Sequence, residues 1–370
     1  MTRTDYRLRL PGPTTVPERV RRAIAEPVVN HRGPEFRSMM ARVQELLQPL
    51  FGTTAGARNP VLIYASSGTG MMEASLVNVL SPGDRVLVCV QGQFGERFST
   101  IAAAMGAHVE TLEVPWGMGI DPQAVEDRLA TVDYRAVVVV HNESSTAVTT
   151  DLAALGWRLR GRSTLLIADS VSGLGGLEMR QDEWGVDIVV SASQKCLMCP
   201  PGLGLASLSD KAWEAVNRGP GLPRFYWDFR KARASIEKFE TPFTAPVALI
   251  AGLRESLEMI HEEGISQVLA RHRRLSAALR EGCAKLGLST FGQRDALSPT
   301  VVALNVPPDI AGAAIVRGMY ERHGSVIAGS RNKLQGKIIR IGVMGYCHDA
   351  DIATDLEHLQ LTLQEEMHAR

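Results

Sequence analysis

The sequence has no excess of charge of either sign and no long apolar run. Its 370 residues contain 40 Lys and Arg against 40 Asp and Glu, so the formal net charge is +0. This balance gives no indication of a nucleic-acid or membrane-surface partner. The start of the chain has no apolar signal segment, and no run approaches the about 18 apolar residues that suggest a membrane span. We expect a cytoplasmic globular protein.

Cysteine is also scarce. The chain has five cysteines, an odd number, scattered through apolar contexts. This usage indicates reduced thiols rather than a disulfide framework. Cys196 and Cys199 form a Cys-x-x-Cys pair, but no second pair accompanies it. A metal site is therefore not expected, and packing is the favoured role.

The abundant residues are hydrophobic ones, at 45% of the chain, which is enough for a large core and about two domains. A Pro-rich arm comes first, and the apolar spacing of residues 35–51 predicts an amphipathic helix. Apolar strands, mostly separated by helical stretches, are predicted near 60–65, 84–90, 135–140, 164–168, 186–190 and 203–208. This alternation predicts an α/β fold with a mainly parallel, doubly wound sheet.

The last third of the chain predicts a smaller α+β domain. A helical pattern from about 246 to 283 precedes strands at 300–306 and 338–343, and the end of the chain again has a helical pattern. We divide the chain into an N-terminal arm (1–20), a large domain (21–255) and a small C-terminal domain (256–370).

Two polar residues follow successive predicted strands. Asp169 ends the apolar run from Thr164, and Lys195 follows the strand 186–190 in a turn of small residues. Ligands of open α/β sheets bind at the carboxyl ends of strands, and a partly desolvated lysine can form a Schiff base with a carbonyl. Taken singly, Lys195 is equally well explained as a surface residue and Asp169 as a turn or helix cap. Together they are what pyridoxal phosphate requires, an amine for its aldehyde and a carboxylate for its pyridine nitrogen.

A glycine turn supplies a third element of this hypothesis. Ser66-Ser-Gly-Thr-Gly70 lies between a short apolar strand and an amphipathic helix, where free backbone amides and hydroxyls could bind a phosphate. Ordinary helix capping explains an isolated pattern of this kind more often. The turn lacks the Lys-Ser/Thr ending of a nucleotide phosphate loop and the spacing of a dinucleotide fingerprint.

Several short motifs, in order over nearly the whole chain, resemble those of the class V aminotransferases, most closely the alanine or serine:glyoxylate branch. They are Pro11-Gly-Pro13, Ser66-Ser-Gly-Thr-Gly70, Gly92-Gln-Phe-Gly-Glu-Arg97, His141-Asn-Glu-Ser-Ser-Thr146, Asp169-Ser-Val-Ser-Gly-Leu-Gly-Gly176, Ser193-Gln-Lys-Cys196, Pro200-Pro-Gly202 and Arg340-Ile-Gly342. The resemblance implies a fold-type I enzyme with pyridoxal 5'-phosphate as cofactor. It also implies a homodimer with active sites at the subunit interface.

The resemblance assigns roles residue by residue. Lys195 would carry the cofactor aldehyde and move the substrate proton, and Asp169 would bind the pyridinium nitrogen. Four other residues would bind the phosphate, namely Ser67, Gly68, Thr69 and Gln194. Phe94 and Val171 would contact the two faces of the ring, and Ser144 would contact the phenolic oxygen. Thr244 would reach the phosphate of the neighbouring subunit. Arg340, in a predicted strand, would bind the substrate carboxylate with a bidentate guanidinium.

Arg331 departs from the family pattern. It occupies a glycine-rich loop nine residues before Arg340, where many relatives have a small residue. It would bind a second acidic group of the substrate, or it is a surface residue. A similar pair of arginines occurs in pyridoxamine:pyruvate aminotransferases, but the turn from Ser67 to Gly70 argues against that activity.

The expected activity is transfer of the amino group of a small amino acid, such as alanine or serine, to a 2-oxo acid such as glyoxylate or pyruvate, by a ping-pong mechanism. The alternatives are another donor, namely aspartate, ureidoglycine, aminoethylphosphonate or pyridoxamine with pyruvate. A lyase or desulfurase would normally carry His before the lysine, whereas Gln194 stands there. A non-catalytic binder is disfavoured because Lys195, Asp169 and Arg340 occur together.

Overall fold

A computed structural model describes residues 6–54, 59–218 and 221–368. The strands are β1 Arg7–Leu8, β2 Leu62–Ser66, β3 Arg85–Val90, β4 His108–Glu113, β5 Ala136–Val140, β6 Asn142–Glu143, β7 Val148–Thr149, β8 Leu165–Asp169, β9 Ile188–Ala192, β10 Gly202–Leu208, β11 Val301–Asn305, β12 Ser325–Val326, β13 Ala328–Gly329 and β14 Ile338–Gly342. The α-helices are α1 Glu18–Ala25, α2 Pro34–Phe51, α3 Gly68–Val77, α4 Gln93–Ala104, α5 Pro122–Thr131, α6 Leu152–Leu159, α7 Gln181–Trp184, α8 Asp210–Asn217, α9 Phe229–Ile236, α10 Val247–Glu263, α11 Ile265–Lys285, α12 Gly312–Glu321 and α13 Asp349–His368. Two 3-10 helices, Arg294–Ala296 and Asn332–Leu334, lie in loops.

A seven-stranded sheet forms the centre of the molecule, in the order β2-β10-β9-β8-β5-β3-β4. Neighbouring strands are parallel from β9 to β4, and β10 is antiparallel to both β9 and β2. The predicted α/β fold with a mainly parallel sheet is confirmed. β4 was not predicted, because its mixed sequence His-Val-Glu-Thr-Leu-Glu carries no apolar run.

Helices cover both faces of this sheet because successive strand residues point to opposite sides. In β5, Val137 and Val139 pack in one core cluster with α2, α6 and α10, whereas Val138 and Val140 pack in another with α3, α4 and α8. The nearly continuous valine run of this strand is therefore buried on both faces.

The C-terminal part has its own antiparallel sheet, in the order β11-β14-β13. A separate apolar core joins this sheet to α11, α12 and α13. The helical pattern from 246 to 283 is divided into α10 and α11 at Gly264, whose φ of +91° favours glycine. The predicted boundary between residues 255 and 256 falls inside α10, and the three-part division stays a prediction.

The N-terminal arm crosses from the C-terminal part to the large sheet. β1 pairs in parallel with β12. Arg9 is buried and binds the fully buried Asp355, with 2.6 Å between Nη2 and Oδ2. The arm then continues to Pro11 and Gly12, which lie against Lys195.

All five cysteines are free and buried. Within the described residues, no group of three or more His, Cys, Asp or Glu side chains is placed to hold a metal ion. A helix with the length and apolarity to span a membrane is likewise not found in the described part of the chain.

Candidate active site

A cavity of about 230 Å³ lies at the carboxyl ends of the central strands. Asp169 is the last residue of β8, Lys195 follows the end of β9, and Ser67 precedes α3. The cavity lining combines most of the predicted cofactor residues with four others: Ser67, Gly68, Thr69, Met72, Phe94, Arg97, Asn142, Ser144, Asp169, Val171, Ser172, Gln194 and Lys195. The strand ends therefore bring together residues that are far apart in the sequence.

The Asp169 carboxyl group is buried in this cavity. Its Oδ1 accepts a hydrogen bond from the Val171 amide at 2.7 Å. Burial raises the pKa of Asp169 to about 6, although the Val171 amide and the positive charge of Lys195 favour the ionised form. The nearby Glu143 carboxyl acts in the same direction as burial. A cationic ring nitrogen in the cavity would stabilise the carboxylate.

The Lys195 amine is also shielded from water, and burial lowers its pKa to about 8. Asp169 opposes this shift by favouring the ammonium form. The amine donates a hydrogen bond to the Pro11 carbonyl of the N-terminal arm. A substantial fraction of the amine is therefore neutral, and hence nucleophilic, at mildly alkaline pH.

Because Gly12 has no side chain, the Lys195 side chain can occupy the space next to it. A Cβ added there would lie 2.4 Å from Lys195 Nζ, and the Gly12 φ is +97°. We expect Gly12→Ala to misplace the amine and slow covalent capture of an aldehyde on the order of tenfold. Gly83→Ala is the matched control, because Gly83 has φ +85° but no atom within 4 Å of the added Cβ. Stopped-flow absorbance would measure capture, and equal rates for the two variants would contradict the prediction.

The N-terminus of α3 faces the cavity with Ser67 as its cap. The Ser67 hydroxyl accepts from the Gly70 amide at 3.1 Å, and Thr69 Oγ1 accepts from Arg97 Nη1 at 2.8 Å. Gly68 packs closely on Val171, since an added Cβ would lie 2.8 Å from Val171 Cγ2. This helix end presents hydroxyls and a nearby guanidinium to an anion.

An adjoining cavity of about 470 Å³ opens outward from the first. Phe94, Arg97, Ser144 and Lys195 line both cavities, and Arg340 lines the outer one. Arg340 Nη1 donates to the Ser144 carbonyl at 2.8 Å, and Nη2 donates to the Gly329 carbonyl at 2.7 Å. These two carbonyls fix the guanidinium at the wall of the outer cavity.

The two remaining predicted residues lie in different places. Arg331 lines the outer cavity with Arg340, and its side chain is exposed. Thr244 is exposed and lines neither cavity of this chain. Within one chain, the structure therefore does not bring Thr244 to the other candidate residues.

Four lining residues were not singled out from the sequence, namely Met72, Arg97, Asn142 and Ser172, and neither was the nearby Glu143. Arg97 lies over the Phe94 ring, with Cζ 4.7 Å from the centroid. Glu143 is fully buried and accepts hydrogen bonds from the Phe94 amide at 2.9 Å and the Ser145 hydroxyl at 2.6 Å. All of these residues except Met72 belong to motifs that carry the family resemblance, which was the available sequence signal.

The cavity fits pyridoxal phosphate chemically. It has a buried carboxylate for a pyridinium nitrogen, an amine for an aldehyde, and a helix N-terminus for a phosphate. Gln194 Oε1 and Asn142 Oδ1 are buried without a hydrogen-bond partner among the described residues. Buried polar atoms at a cavity wall normally find partners, so these atoms indicate that a polar ligand completes the site.

Comparison with known proteins agrees with this fit. The family model described as aminotransferase class-V matches residues 10–354. The chain belongs to the class-V aminotransferase family, and its fold is that of the fold-type I aminotransferases. Membership in this family implies pyridoxal phosphate as cofactor.

Individual relatives carry different names. The chain is 39% identical over 362 residues to a protein named soluble hydrogenase, small subunit, of Synechococcus sp., covering 97% of this chain and 93% of that one. It is 37% identical over 347 residues to the L-aspartate–glyoxylate aminotransferase of Paracoccus denitrificans, with 92% and 87% covered. The crystal structure of an alanine–glyoxylate aminotransferase from Nostoc sp. superposes with a TM-score of 0.93 at 31% identity, covering 98% and 96%.

Proposed function

We propose that this enzyme binds pyridoxal phosphate in the inner cavity and transfers the amino group of a small amino acid to glyoxylate. The observation that carries the proposal is that Asp169 and Lys195 line one cavity with the N-terminus of α3. Ser67, Gly68, Thr69 and Gln194 would hold the phosphate. Phe94 and Val171 would contact the ring, and Ser144 its phenolic oxygen. When bound, the cofactor supplies an electron sink for the substrate carbon.

The two catalytic residues act on protons at opposite ends of the cavity. The Asp169 carboxylate would keep a proton on the ring nitrogen, since a buried anion is most stable beside a cation. The neutral Lys195 amine would take the proton from the substrate carbon and return it. The lowered pKa of Lys195, about 8, makes this base available near physiological pH.

Arg340 would fix the substrate in the outer cavity. Two backbone carbonyls already hold its guanidinium, so little conformational freedom is lost on binding. A planar guanidinium binds a carboxylate through two parallel hydrogen bonds, which sets the orientation of the substrate carbon toward Lys195. Alanine and serine as donors, and glyoxylate or pyruvate as acceptors, each carry the one carboxylate that this role requires.

We also propose a homodimer in which Thr244 reaches the phosphate of the neighbouring subunit. In the same surface region, Tyr226 and Phe243 stack with ring centroids 5.2 Å apart, and Phe225 is 68% exposed. Exposed aromatic side chains that cluster in this way are typical of protein interfaces. Thr244 follows Phe243 directly, so burial of this patch would carry Thr244 into the contact.

A half-reaction experiment tests the proposed function. The cofactor-loaded protein is mixed with alanine or serine and no acceptor, and the 2-oxo acid released per active site is measured. A ping-pong mechanism predicts about one equivalent, followed by turnover only when glyoxylate is added. Release of no 2-oxo acid from any amino donor would refute amino transfer.

The pH dependence of cofactor capture tests the assignment of Lys195. Because burial lowers the pKa of this amine from 10.5 to about 8, the reactive neutral form increases as pH rises through about 8. The rate of capture by the cofactor-free protein should therefore rise and level off above this pH. Absorbance measured from about pH 6 to 10 would give the midpoint, and a midpoint near that of a solvated lysine would contradict the assignment.

A further inference from the structure

The outer cavity is lined by cations without any carboxylate. Among its lining residues are three arginines, Arg97, Arg331 and Arg340, and no Asp or Glu. Several positive charges around a concave, partly shielded space produce a strong positive potential. The cavity is therefore suited to an anion with more charge than one carboxylate.

One neighbouring cation outside the cavity, Lys333, is paired with carboxylates, unlike the three arginines. Lys333, two residues after Arg331, contacts both Glu96 and Glu113. Across the described ranges, no carboxylate forms an ion pair with Arg97, Arg331 or Arg340. Arg97 donates to a hydroxyl and Arg340 to two carbonyls, so neither guanidinium is bound directly to a carboxylate.

Arg331 lies close enough to Arg340 for their charges to interact. In the C-terminal sheet Ala328 is directly opposite Arg340, and Arg331 follows three residues later at the cavity wall. Burial is the main cause that lowers the pKa of Arg340; the Glu143 carboxyl opposes this shift, and the charge of Arg331 adds to it. A carboxylate bound to Arg340 alone would leave Arg331 without a counter-ion.

Resting on the proposed function, we infer that the physiological amino donor is a dicarboxylic amino acid such as aspartate. Arg340 binds its α-carboxylate, and Arg331 binds its side-chain carboxylate. Arg97, which lies over the Phe94 ring, adds positive potential. Alanine and serine satisfy Arg340 but have no second carboxylate for Arg331, so they are the poorer donors.

Binding of unreactive acids tests this inference without turnover. Succinate and butyrate have the same number of carbons and no amino group, and they differ in one carboxylate. A charge-assisted hydrogen bond to the second carboxylate should make succinate bind the cofactor-loaded enzyme about tenfold or more tightly than butyrate. In Arg331→Gln this ratio should fall to within about twofold of one, as measured by calorimetry.

Lys333→Gln is the matched control, because it removes a cation two positions away that lies outside the cavity and is paired with carboxylates. It should keep the succinate preference, since general electrostatic attraction is not the cause. The inference is overturned if the wild type binds both acids equally. Loss of the preference to the same extent in Lys333→Gln and Arg331→Gln would overturn it as well.

A donor comparison separates this inference from the proposed function. The ratio of kcat/KM for aspartate to that for alanine, with glyoxylate as acceptor, should exceed about ten in the wild type and drop at least about tenfold in Arg331→Gln. Efficient transfer from alanine but not from aspartate would contradict the dicarboxylate inference, whereas the proposed aminotransferase function would still hold. If no amino donor supported transfer to glyoxylate, the proposed function itself would be refuted.

Discussion

Replacing Lys195 by alanine is expected to lower the rate of amino transfer by about 10⁴-fold. The variant loses the only amine among the side chains that line the inner cavity. It therefore loses both the covalent attachment point for the aldehyde and the base that moves the substrate proton. The release of 2-oxo acid after mixing with donor, followed in a single turnover, gives the rate of this step directly.

Two controls define the Lys195 result. Lys285→Ala removes an exposed lysine that pairs with Glu281 on α11, away from both cavities, so it should retain the wild-type rate. A small primary amine added to Lys195→Ala should restore part of the activity, because it can occupy the vacated space and accept the proton. A Lys195→Ala rate within about tenfold of the wild type would refute the assigned role.

Replacing Asp169 by asparagine is expected to lower the rate of amino transfer by about 10³-fold. Asparagine has nearly the same shape but no charge, so a proton on the ring nitrogen would lose its counter-ion. The same substitution should lower the pKa of Lys195, because the negative charge of Asp169 now raises it. Two measurements, the half-reaction rate and the midpoint of the capture profile, should therefore change together.

The thermal stability of Asp169→Asn distinguishes a loss of catalysis from a loss of folding. The pKa of Asp169 in the folded chain is about 6, above its ordinary value of 3.8. The stability that the protonated form contributes is therefore lost as pH rises through about 6, and at neutral pH the buried carboxylate disfavours the fold. Asp169→Asn without cofactor should unfold at the wild-type Tm or above it. A marked fall in Tm would assign Asp169 a structural role instead.

The sequence predicted the central sheet because its strands are buried on both faces. β5 is almost all valine and β8 is Leu-Leu-Ile-Ala-Asp, so apolar runs alone locate them. Edge strand β4 consists of exposed and half-buried residues, with polar side chains at the exposed positions, and was missed. The break at Gly264 was also missed, because glycine within a helical pattern is ambiguous until its φ is known.

The candidate site could be predicted where it depends on single strand ends. Asp169 and Lys195 each follow an apolar run, so their meeting at one sheet edge is a matter of topology. The walls contributed by Pro11 and Arg97 depend instead on how distant segments pack. Glu143 gave no local signal either, since its buried carboxyl is explained only by the backbone amides at the start of α4.

The docking of the N-terminal arm has a consequence for the order in which the molecule assembles. Its contacts span most of the chain, with 318 residues separating Arg7 from Ser325 and 346 separating Arg9 from Asp355. Contacts of such sequence separation form late in folding. The entropy of closing a long loop is lost before the contacts can contribute favourable free energy. The arm residues therefore reach their final place after the segments that make short-range contacts, and the wall beside Lys195 is completed only when these two distant parts of the chain have met.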